Sequence, residues 1–81
     1  MSDHDQPPLD LRRIDASRNM HRFYLVALQP TLFGGASLMR NWGRIGGSGQ
    51  SMVETFDTPE EANAARARLV RAKARRGYSA P

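Results

Sequence analysis

The chain has no cysteine, a single tryptophan, two histidines and no apolar run approaching the roughly 18 residues of a membrane span. Without cysteine there are no disulfides, thiolate metal sites or cysteine nucleophiles, and nothing in the composition demands an oxidising compartment. The N-terminus, MSDHDQPPLD, is polar and acidic where a secretory signal would be basic and then apolar. A cytoplasmic protein with no membrane partner is the expectation. The 81 residues allow one small domain, because a chain this short buries only about 60% of the surface it exposes when unfolded. So thin a core leaves little room for an enclosed catalytic cavity.

Groups that perform catalysis are equally scarce. His4 lies in the leader and His21 at a strand start, neither with a second histidine or a carboxylate at metal-ligand spacing. Ser37, Ser48 and Ser51 lack a G-x-S-x-G or S-x-x-K context, and Glu60 and Glu61 are accounted for by helix capping. The expectation is a non-enzyme with no catalytic residue, metal, cofactor or small-molecule substrate.

Positive charge is what the chain does have. Twelve basic residues against eight acidic ones give a net charge of +4. Eleven of the twelve are arginine, whose planar fork matches phosphate geometry. Polyanions are therefore the first partners to consider. Six cations and no anion lie between Arg66 and Arg76. They suit the negative end of a helix dipole, and they spread around the helix instead of forming one phosphate-tracking stripe.

Residues 1–8 read as a disordered leader, 9–78 as the domain and 79–81 as a tail. LDLRRID reads as a short strand, followed by turn chemistry at Ser17 and Asn19. MHRFYLVALQ, residues 20–29, places Phe23, Leu25 and Ala27 on one face and Tyr24, Val26 and Leu28 on the other. With both faces apolar, this strand is expected to be central and covered at least partly on each side. Pro30 ends it and TLFGGA connects onward. SLMRNWGRI, residues 37–45, puts Leu38, Arg40, Trp42 and Arg44 on one side; Gly46, Gly47 and Gly49 then make a hairpin, and QSMVETF returns.

A helix start follows, with Thr58 as N-cap, Pro59 in first position and Glu61 completing a capping box. Ala62, Ala65, Leu69 and Ala72 form its inward face, Gly77 stops it, and Tyr78 folds back over the last turn. The fold expected is α+β, a twisted antiparallel meander of about four strands with one C-terminal helix packed on it.

The stretch RNWGRIGGSG leaves two readings of Trp42 open, a core anchor or an aromatic plate presented to a ligand. Arg40 and Arg44 share its face, and arginines are costly to bury. On a surface the indole would stack on a base or sugar while a guanidinium pairs with phosphate. The glycines make no phosphate loop, because they lack the lysine and precede a strand. The GRIG sequence lies between strands, where an RNA-clamping G-x-x-G joins helices.

WGRIG is accompanied by Phe23-Tyr24 in the preceding strand, Gly49-Gln50 after the hairpin, the DTPEEA helix start and a closing K-x-x-x-G-Y at Lys73, Gly77 and Tyr78. Together they resemble the WGR domain over about residues 9–78, most closely its small stand-alone bacterial members. WGR domains are known from poly(ADP-ribose) polymerases as antiparallel sheets with a packed helix that bind DNA break ends. There the motif's tryptophan packs on the terminal sugar, and its arginine works at the terminus and between domains. The resemblance implies Trp42 and Arg44 as the contact pair, with Gly43 as the spacer that lets DNA approach. Charge adds Arg40 and the helix cations Arg66, Arg71, Lys73 and Arg75 as auxiliaries. The polymerase activity does not transfer, since 81 residues cannot hold a transferase domain. A protein-interaction adaptor using the Trp42 and Arg44 face is the alternative, as both residue types favour binding hot spots.

Overall fold

The unbroken apolar run FYLVAL within MHRFYLVALQP suits an interior strand, and this segment is the longest strand of the sheet. The computed structural model describes residues 7–81. Strands β1 (Leu9–Asp15), β2 (Met20–Pro30), β3 (Ala36–Arg44) and β4 (Gln50–Phe56) pair antiparallel in chain order, and helix α1 (Pro59–Arg75) follows. A 3-10 turn, Ala16–Arg18, reverses the chain between β1 and β2. It closes at Asn19 with φ 53°, a left-handed conformation that asparagine tolerates better than most residues.

Helix α1 begins as expected. The Thr58 hydroxyl accepts from the Glu61 amide at 3.2 Å and donates to the Glu61 carboxylate at 3.1 Å. At the other end the Gly77 amide donates to the Ala74 carbonyl and the Tyr78 amide to the Lys73 carbonyl, each at 3.1 Å. This double closure needs a left-handed residue, and Gly77 supplies it with φ 92°. The chain then returns to the sheet: Ser79 exchanges two backbone hydrogen bonds with Arg12, of 2.8 and 2.9 Å. The outer edge of β1 is thereby occupied, although residues 79–81 read as a tail in the sequence.

Leu11, Tyr24, Val26 and Leu38 form the buried core, ringed by Leu9, Leu28, Trp42, Phe56, Ala65, Leu69 and Tyr78. Cross-strand register puts all of the sheet residues among them on one face, the face covered by α1. The expected cover on both sides of β2 is corrected here. Among the described residues only one face carries a helix, and Leu25, Met39 and Val53 on the other remain exposed.

The inward face of α1 also differs in one position. Ala62 is buried and Ala65 and Leu69 pack on the core, but Ala72 is exposed and Lys73 is half-buried in its place. Four residues beyond Leu69, Lys73 continues the inner stripe, whereas Ala72 has rotated outward. Of the leader, residues 1–6, with His4, lie outside the described residues. Pro7 and Pro8 have no regular structure.

Candidate functional site

The site starts from the parity of β3. Arg40, Trp42 and Arg44 point to the helix-covered side, but the helix covers only part of it, so the three have different surroundings. Trp42 sits opposite Tyr24 across β2 and β3. The two rings stack with centroids 5.7 Å apart and planes 15° from parallel. Trp42 is half-buried. It packs on the core through Tyr24, and it also lines an open groove of about 380 Å³ together with Arg22, Gly43, Arg44 and Tyr78. The two readings of Trp42 thus describe different parts of one side chain.

Behind Trp42 a polar brace holds Tyr24. The Arg40 guanidinium forms an ion pair with Glu54, with 20% of its side chain exposed. Interaction with the Tyr24 side chain raises the Arg40 pKa, against the cost of burial and with help from Glu54. Its Nε is buried without a hydrogen-bond partner. An arginine does therefore share this inner layer, because a carboxylate and a phenol accompany it. On the outer side of Tyr24, the Lys73 ammonium lies 4.4 Å from the ring centroid and 5.6 Å from that of Tyr78. Tyr78 meets Tyr24 edge-on at 6.2 Å.

Arg44 is exposed at the end of β3 and is held by Asn19, donating to its carbonyl at 3.4 Å and its side-chain oxygen at 3.3 Å. Directly opposite on β2 is Arg22, and opposite Arg22 on β1 is Arg13. Three guanidinium-bearing positions thus form a row across three strands. Like charges placed opposite one another cost stability, and the ion pairs among the described residues hold Arg12, Arg18 and Arg40 instead. The row therefore forms a concentrated positive strip beside the groove.

Gly43 has a structural requirement of its own. A Cβ there would lie 2.7 Å from the Gly49 Cα and 3.6 Å from the Phe23 ring. The β3–β4 hairpin crosses too closely for a side chain, and the Asn41 amide fastens the same hairpin by donating to the Gln50 carbonyl at 2.9 Å.

The structure brings Trp42, Gly43 and Arg44 together. Arg40 is turned inward to Glu54. Of the helix cations, Arg66 is half-buried and Arg71 and Arg75 are exposed, and none of these lines the groove. Arg13, Arg22 and Tyr78 were missed as site residues. Strand parity assigns Arg22 to the Tyr24 face, but only the register sets it against Arg44. Among the described residues, no three His, Asp or Glu side chains gather as a metal site requires. Among the described residues no helix is long and apolar enough to cross a membrane.

A four-stranded antiparallel sheet with one helix, walling an open groove with tryptophan, tyrosine and arginine, defines a small α+β domain. The model of the WGR domain matches residues 8–81, and the chain belongs to the WGR domain family. That family is associated with nucleic-acid binding in proteins like the poly(ADP-ribose) polymerases. Over 70 residues the chain is 47% identical to y4dW of Sinorhizobium fredii, described as an uncharacterized protein; the match covers 86% of this chain and 34% of that one. The chain thus spans about a third of the length of this curated relative. No solved structure matches it.

Proposed function

We propose that the chain is a non-catalytic module that binds DNA ends or strand breaks through the Trp42 groove. The observation that carries this reading is the Arg13, Arg22 and Arg44 row, left without carboxylate partners among the described residues beside a partly exposed indole. A row of like charges on neighbouring strands is tolerable when a polyanion neutralises it, and phosphates fit the guanidinium fork. Trp42 stacks on the last base or sugar, a contact worth about 1–3 kcal/mol by analogy with single-strand readers. Inside a duplex both faces of every base pair are already stacked, so a lone indole finds a free face only where the stack ends. Tyr24 backs the indole, and Arg22 and Arg44 pair with the flanking phosphates. Gly43 keeps the groove wall low.

Fluorescence anisotropy with a labelled blunt duplex tests the proposal. Arg22→Ala and Arg44→Ala are expected to weaken binding at least tenfold with unchanged circular dichroism, as both side chains are exposed. Linear DNA should compete better than the same sequence closed into a circle. Equal competition would remove the end preference, and full affinity in both arginine variants would remove the groove as the binding site.

A further inference from the structure

The two edges of the sheet differ in protection. The β1 edge is occupied by Ser79, whereas nothing among the described residues pairs with the outer side of β4. Proteins commonly blunt a free edge with proline, lysine, an outward charge or a bulge. The β4 sequence, QSMVETF, contains no proline and no cation. Its register with β3 runs unbroken from Gln50 to Phe56, and its one charge, Glu54, is held by Arg40. On the face without a helix, Ala27, Met39 and Val53 form one cross-strand row. The row ends at this edge with Val53, which is 57% exposed.

We infer that β4 is a self-association edge and that its occupant is a second copy of this chain. The copy pairs antiparallel about a two-fold axis at Val53: charge disfavours a centre at Glu54, and the apolar row that ends at Val53 favours this one. Centred on Glu54, the pairing would set two carboxylates face to face. Centred on Val53, it sets Glu54 against the second copy's Met52 and Ser51 against its Thr55, with no like charges opposed. It also joins the Ala27, Met39 and Val53 row to its symmetry mate, giving an apolar stripe across an eight-stranded sheet. Such an interface is isologous and closes on itself, so it yields a dimer and no fibre.

The absence of cysteine from the chain makes the test clean. Directly opposed residues on antiparallel strands have Cα atoms about 4.5–5.5 Å apart, within disulfide range. Val53→Cys is expected to cross-link into a covalent dimer under mild oxidation, while Ile14→Cys, exposed on β1, stays uncross-linked under the same conditions. The unmodified full chain should sediment at twice its 9.0 kDa mass. Val53→Lys should return it to 9.0 kDa with its circular dichroism retained. The double variant Leu32→Ser, Phe33→Ser, altering the exposed β2–β3 hairpin tip, should remain dimeric. A 9.0 kDa species at every attainable concentration overturns the inference. So does equal cross-linking at positions 14 and 53, or dimer loss in the hairpin-tip variant alone.

Discussion

Trp42 shows how one residue serves fold and surface together. Its stack on Tyr24 depends on the brace beneath, so the brace gives the sharper test. Glu54→Ala leaves the Arg40 charge partly buried and unpaired, and should cost about 1–3 kcal/mol in urea denaturation. Replacing both partners with apolar residues, Arg40→Met with Glu54→Leu, should cost less than the single change, because no orphaned charge remains. Gly43→Ala forces a methyl group to within 2.7 Å of the Gly49 backbone and should destabilise by about 1–3 kcal/mol, the usual penalty of overpacking. Lys73 adds a pH dependence. Burial first, then the charges of Arg76 and Arg40, depress its pKa below the ordinary 10.5. The unfolded chain then holds this proton more tightly, so the Lys73 contribution to stability rises with pH up to about 10.5. Urea midpoints of wild type and Lys73→Met, followed from neutral pH upward, should show that rise in wild type alone.

At the scale of elements, much was legible because local chemistry decides it. The limits of β1 and β4, the Thr58 and Pro59 helix start and the Gly77 stop all follow from alternation, capping and left-handed geometry. Thr58→Ala should lower the melting temperature by about 4–8 °C, since a lost cap costs about 1 kcal/mol. Register was not legible. Parity assigns a residue to a face, but which arginine stands opposite Arg44 depends on how the hairpins close. The Arg13, Arg22 and Arg44 row stayed hidden for that reason. The second apolar face of β2 misled for a related reason, since Leu25 and Ala27 look the same in sequence whether or not a layer covers them. The β2–β3 hairpin carries Leu32 and Phe33, each 96% exposed. Both should therefore tolerate serine with no fall in melting temperature.

Over the whole molecule, charge is polarised along β2 and β3. One end of the sheet holds the arginine row. The other leads through Asp57 into the helix start at Glu60 and Glu61. A ligand neutralising the three arginines of the row should show log affinity falling against log salt with a slope of roughly −3, at about 0.9 per phosphate. A slope near zero would mean the row takes no part. The Ser79 bridge to Arg12 has a different consequence. Because it is antiparallel, the end of the chain runs back beside the start of β1, and Pro81 stands next to Arg12. The start of β1 and the residues after Ser79 thus lie side by side on one edge of the sheet. Such a module is a cassette: grafted into a surface loop of an unrelated host, it should fold without prying the host's loop ends apart.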